Sequence, residues 1–135
     1  MLSYSRLADV FQPEALLAFD RAEMWVRRMP DRDQAGRWVR CHEVARAVHR
    51  LLVGHAYEGW VLVDGRYGPV MHSYLALRDH GTILDPYAVA RVPPVQLVAG
   101  AFAANYQPGP TRADVRDEVV ELLIRSVDTS VSVEL

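Results

Sequence analysis

Few residues in this 135-residue chain carry reactive side chains, and three of them are spaced to work together: Cys41, His72 and Asp85. Cys41 is the single cysteine. A lone thiol has no partner for an internal disulfide, which suits a reducing compartment, and it cannot supply a zinc site built mainly from cysteine. A thiolate becomes a strong nucleophile where its pKa is depressed, and a helix N-terminus is one place where that happens. It then needs a base or charged partner, and the base needs a group to orient it. His72 and Asp85 are the candidates for those two tasks. Each residue also has a plainer reading: Cys41 as a small buried hydrophobe, His72 as a half-exposed strand residue, and Asp85-Pro86 as a strand-ending turn.

The elements that must position these residues can be read from the pattern. Pro13 to Met29 reads as a helix with proline in its first turn, and Leu16, Leu17, Met24 and Trp25 fall toward a common side. Pro30-Asp31-Arg32-Asp33 stops it, and a polar loop runs through Gln34, Gly36 and Arg37. Cys41, Val44, Ala45, Val48, Leu51 and Leu52 then form the apolar stripe of a second helix, with Gly54 as its stop. Cys41 opens that helix, where free backbone N–H groups and the dipole favour an anion.

After Gly54 the period changes to that of strands. Gly59-Trp60-Val61-Leu62-Val63 is the first, followed by an Asp64-Gly65 turn signal. Val70 to Leu77 and Thr82 to Asp85 follow, joined by the four-residue loop Arg78-Asp79-His80-Gly81. Arg91 to Ala99 adds an extended piece whose start Pro93-Pro94 confines to an edge or loop. Thr111 to Arg125 reads as a closing helix with Thr111 as its cap, and Val127 to Leu135 as an edge strand or frayed end. The expected fold is α+β: N-terminal helices packed on a small antiparallel sheet with a C-terminal helix, in one domain spanning residues 1–135.

The hairpin carries the sharpest expectation. If Leu77 pairs with Thr82, paired numbers sum to 159, and Tyr74 faces Asp85. His72 then lies on the same face as Asp85, as its diagonal neighbour, about 7–8 Å away at the backbone and within side-chain reach. A slip of one residue would put the two on opposite faces.

With these residues in place, the chain resembles the transglutaminase-like core, a branch of the papain-like thiol hydrolase superfamily. The resemblance rests on Cys41 opening a helix, His72-Ser73-Tyr74-Leu75 about thirty residues on, and Ile83-Leu84-Asp85-Pro86-Tyr87 soon after. It spans Trp38 to Ala90, and Tyr74 stands where that family often has tryptophan. It implies Cys41 as nucleophile, His72 as general base and acid, and Asp85 as the orienting residue of a peptidase, amidase or acyltransferase working through a thioester. The backbone N–H of Cys41 is the natural oxyanion donor, with Trp38 and Gln34 as candidates for a second. Trp60, Tyr67, Tyr74 and Tyr87 are candidates to line a substrate groove, and Gly65 and Gly68 flank Arg66-Tyr67 in a prospective covering loop. The rival reading is a catalytically silent peptide- or partner-binding module on the same fold.

Composition narrows the remaining classes. All 15 basic residues are arginine. The absence of lysine excludes a phosphate loop ending in Gly-Lys-Ser/Thr, a Schiff-base lysine, and self-cross-linking through the chain's own lysines. The net charge is −2, and the arginines between Arg21 and Arg50 read as a solvated helix face, so nucleic acid is not an expected partner. A metal is not expected either: His42-Glu43 begins like a zinc-protease helix, but Arg46 occupies the position of the second histidine, and no calcium-loop spacing is present. His42, His49 and His55 read as surface histidines on an arginine-rich helix. No apolar run approaches the ~18 residues of a membrane span, and the first residues lack the charged and apolar regions of an export signal. The expected setting is cytoplasmic. The expected substrate is a peptide or protein, including one delivered by a partner protein, and no cofactor is expected.

Overall fold

The computed structural model describes residues 11–55, 59–78, 81–87, 95–109 and 113–133, with backbone alone for 101–102 and 128–133. Three helices, α1 (Pro13–Arg28), α2 (Cys41–Gly54) and α3 (Asp117–Val133), pack with five strands: β1 (Trp60–Tyr67), β2 (Val70–Leu77), β3 (Thr82–Asp85), β4 (Gln96–Ala99) and β5 (Tyr106–Pro108). A short 3-10 turn, Gly100–Ala103, lies between β4 and β5. The strands form one antiparallel sheet in the order β4-β3-β2-β1-β5. The α+β class is as expected, and α2, β2 and β3 begin and end where the pattern places them. None of the described helices is long and apolar enough to cross a membrane.

Alternation along the strands divides the molecule into two cores. Ser73, Leu75 and Leu77 of β2 turn toward the helices, and Leu75, Leu84 and Trp60 join the larger core with Val44, Val48, Leu52 and Trp25. The other face carries a smaller core of Val63, Tyr74, Ala76, Ile83 and Tyr106. α2 lies between α1, α3 and the sheet, which is why burial extends around it beyond one stripe to His42, Glu43 and Ala47.

Four expectations need correction. α1 buries Ala15, Ala18, Ala22 and Trp25, so small residues let it approach closely, while Leu17 faces outward at 54% exposure. Asp64-Gly65 is not a turn. β1 runs through it to Tyr67, and the two-residue turn is Gly68-Pro69, with Tyr67 opposite Val70 and Gly68 at φ +56. Gly65 instead serves a close approach: it pairs with Pro108, and a Cβ there would collide with the backbone carbonyl of Gln107. The prospective covering loop around Arg66-Tyr67 is therefore a strand paired on both sides. Finally, α3 starts at Asp117 and continues to Val133, so the segment from Val127 to Val133 is helix. Its buried residues Val119, Val120, Leu123 and Val127 keep a helical spacing. Thr111 and Arg91 to Pro94 lie outside the described residues.

Candidate active site

Cys41 is the first residue of α2, preceded by Arg40 in an extended conformation. Its place is pinned by a buried carboxylate. Glu43, fully buried, accepts the Arg40 backbone N–H at 3.0 Å. It also accepts Arg116 Nε at 2.8 Å and Nη2 at 2.9 Å. Arg116 reaches on to Asp33 at 2.8 Å and to the Trp38 carbonyl at 2.8 Å. One guanidinium thus ties the residues before α3, the loop before α2 and the first turn of α2 together, and that turn presents Cys41.

The hairpin register is as the numbering predicts: Leu75 pairs with Leu84 and Ala76 with Ile83, each summing to 159. His72 and Asp85 therefore share a face, and His72 Nε2 lies 2.8 Å from Asp85 Oδ2. Both are buried, at 3% and 0% exposure. Asp85 Oδ1 accepts the Tyr87 backbone N–H at 3.0 Å. With Nε2 engaged by Asp85, His72 keeps Nδ1 for the sulfur.

His72 faces the smaller core, away from the stripe of α2, so Cys41 meets it around the edge of β2. The β2–β3 ladder covers only Leu75 and Ala76 on β2. Past it, toward Val70, the Ser73 backbone is among the groups that lower the Cys41 thiol pKa. Cys41 stays half-buried.

The electrostatics follow from these contacts. Burial acts to raise the Cys41 pKa, but hydrogen bonds from His42, His72 and the Ser73 backbone bring it down to about 6. Burial acts to lower the His72 pKa, but hydrogen bonds to Asp85 and Cys41 push it up to about 9. Between those values the pair is a thiolate beside an imidazolium, a state that belongs to both groups together.

No family model matches this chain, and no curated protein or solved structure does either. The site has to be understood from its own geometry.

Two participants were not anticipated. Tyr106, on the three-residue β5, donates its hydroxyl to Asp85 Oδ2 at 2.8 Å. Burial and the neighbouring Asp85 charge push its pKa far up, so it remains a donor. Tyr106 also packs with Tyr67 and Tyr74 around the His72 ring, with ring centroids 6.2 to 6.3 Å from the imidazole. The second is His42, expected at the surface but buried at 9% exposure. Its Nδ1 lies 3.8 Å from the Cys41 sulfur and 2.6 Å from Ser73 Oγ. His49 is half-buried and His55 exposed, and no group of three or more metal-ligating side chains occurs among the described residues.

The remaining candidates separate. Trp60 is buried in the larger core at the far end of β1, and Tyr74 is 1% exposed, so neither lines an open groove. Tyr74 instead stacks on His72 with an interplanar angle of 24°. Tyr67 is half-buried, edge-on to His72. Tyr87 lines a small apolar pocket with Val39, Val44 and Pro86. Gln34 is exposed in a turn organised by Asp33. Trp38 is 54% exposed with the Arg32 guanidinium 3.8 Å above its ring. Among the described residues, neither side chain is hydrogen-bonded to Cys41 or His72. Arginines of the basic segment are largely paired: Arg46 with Asp64, Arg50 with Glu121, Arg40 with Asp114 and Arg37 with Asp33.

Proposed function

We propose that this chain is a cysteine-dependent acyl-transfer enzyme, a peptidase or amidase of the transglutaminase-like kind. The observation that carries this reading is the buried His72–Asp85 pair at 2.8 Å, beside a half-buried Cys41 whose thiol pKa His72 helps to lower. Nucleophile, base and orienting acid come from three separate elements, an arrangement that packing alone does not require.

In the proposed reaction the Cys41 thiolate attacks an amide or ester carbonyl, forming a C–S bond and an oxyanion. The Cys41 backbone N–H, which has no intrahelical partner at the first position of α2, donates to that oxygen. As the intermediate collapses, the bond to the leaving group breaks and His72 transfers its Nδ1 proton to the departing amine. Water then attacks the thioester, His72 accepts its proton, the C–S bond breaks and the carboxylic acid leaves. An amine in place of water would make the same site a transamidase. No step needs a metal. A thiol that must stay reduced fits the reducing cytoplasm.

The test is covalent. The protein is incubated with peptide, isopeptide and ester panels and its intact mass followed. An acyl adduct on Cys41 that hydroxylamine removes, absent in Cys41→Ala and slowed in His72→Ala, supports the enzyme. No adduct from any panel, together with an ordinary thiol labelling pKa, overturns it in favour of a partner-binding module on the same fold.

A further inference from the structure

Resting on the reading of Cys41 as nucleophile, a second polar chain ends at the same sulfur. Asp64 on β1 is held in two contacts by Arg46 of α2, Oδ1 to Nη1 at 3.1 Å and Oδ2 to Nη2 at 2.6 Å. Arg46 Nη1 also bonds the His42 carbonyl at 3.1 Å. Ser73 Oγ lies 2.5 Å from Asp64 Oδ1 and 2.6 Å from His42 Nδ1. Ser73 is fully buried, so its hydroxyl is a link in the chain and not a nucleophile.

The proton count fixes the direction of every link. Burial acts to raise the Asp64 pKa, but hydrogen bonds from Arg46 and Ser73 hold it below the usual carboxylate value. An ionised carboxylate only accepts, so the single hydroxyl proton of Ser73 goes to Asp64. Ser73 Oγ can then only accept from the imidazole, and Nδ1 of His42 must carry a hydrogen whether or not the ring is charged. That same N–H lies 3.8 Å from the Cys41 sulfur.

We infer that His42 is a positioning residue for Cys41: the Arg46–Asp64–Ser73 chain locks it as an Nδ1–H donor beside the sulfur, so the thiolate has two imidazole partners with separate tasks. His72 moves protons, and its Nε2 is tied to Asp85 and through it to Tyr106. His42 moves none, because its Nδ1 hydrogen is committed to Ser73 Oγ, whose own proton goes to Asp64. It supplies a fixed positive dipole that persists when His72 gives up its proton. That dipole faces the sulfur before attack and again as the C–S bond breaks, the two stages at which the thiolate exists. The groups facing the sulfur are His42 from α2 and His72 from β2, backed by Asp64, Arg46, Asp85 and Tyr106.

The test is the pH midpoint of iodoacetamide labelling of Cys41 in the full chain, followed by intact mass. The variants are His42→Phe, His42→Asn, Asp64→Asn and His72→Ala, with their folding checked by circular dichroism. Asparagine places an N–H close to where imidazole Nδ1 stands, so it restores the donor without a titrating ring. The expected result is a midpoint raised by about one unit or more in His42→Phe and near wild type in His42→Asn. Asp64→Asn should also raise it, because Ser73 is then free to turn its proton toward His42. His72→Ala should leave the midpoint below the ordinary ~8.5 of a free thiol.

A midpoint that moves with His72→Ala but not with His42→Phe overturns the role of His42 and leaves the proposed enzyme standing. An ordinary midpoint in the unaltered protein overturns both. If His42→Phe does not fold, the imidazole tautomer of the unaltered protein decides by long-range proton–nitrogen NMR. An Nδ1–H form of His42 supports the inference, and an Nε2–H form overturns it.

Discussion

At the scale of single residues, the Cys41–His72 pair makes two different pH dependences from one geometry. Alkylation needs only a thiolate, so its rate should rise through a pKa of about 6 and stay high. Turnover in the proposed reaction needs the thiolate and a protonated His72 to release the amine. It should rise through about 6 and fall again through about 9, as His72 loses its proton. Measuring both on one preparation separates the roles; a turnover profile with no alkaline limb would remove His72 as the acid. Tyr106→Phe probes the next residue out. It takes one donor from Asp85, leaving more of that negative charge for His72. The alkaline limb should therefore shift upward, and stability should fall by about 1.5–3 kcal/mol, the range for hydrogen bonds to charged groups, as measured by urea unfolding. An unchanged alkaline limb would make Tyr106 a packing residue only.

At the scale of elements, the β2–β3 hairpin was legible because its loop is short and its sequence numbers are linked: once Leu77 and Thr82 are opposite, His72 and Asp85 follow. Tyr106 was not legible, because β5 has three residues and its partner, β1, lies some forty positions earlier in the chain. His42 was misread for a different reason. It lies off the apolar stripe of α2, and only the approach of β1 and β2 with Asp64 and Ser73 buries it. Glu43 likewise looks like an exposed helix residue until Arg116, far along the chain, closes over it. That last pair carries a prediction. Burial acts to raise the Glu43 pKa, but the Arg116 hydrogen bonds hold it below the usual value. A depressed carboxylate contributes stability above its unfolded pKa of ~4.3 and loses it as pH falls through the folded value. Arg116→Ala leaves that carboxylate buried without its cation and should cost about 3–5 kcal/mol at pH 7. The deficit should shrink in acid, where Glu43 protonates in the variant. A constant deficit across pH in urea unfolding would place the cost in packing instead.

At the scale of the whole molecule, the activated thiol exists only where α2, β2 and β3 meet, so it should disappear with the fold. The expected size of that change depends on two opposing effects. At pH 5.5 a thiol of pKa about 6 is roughly one-quarter thiolate, whereas an unfolded one near 8.5 is about one part in a thousand. The gain in thiolate is therefore on the order of 200-fold. A less basic thiolate is also a poorer nucleophile, by roughly ten-fold over that pKa difference. The native protein should thus label on the order of ten-fold faster than the urea-unfolded chain at pH 5.5, while at pH 7 the two effects nearly cancel. Trp25 and Trp60 are both buried in the larger core, so their fluorescence reports the tertiary fold independently of the thiol. Labelling at pH 5.5 across a urea series should fall in the same transition as that fluorescence. Loss of labelling well before the fluorescence change would mean that the meeting point of α2 with β2 and β3 opens on its own, and that the site is held by its local polar chains more than by the core beneath it.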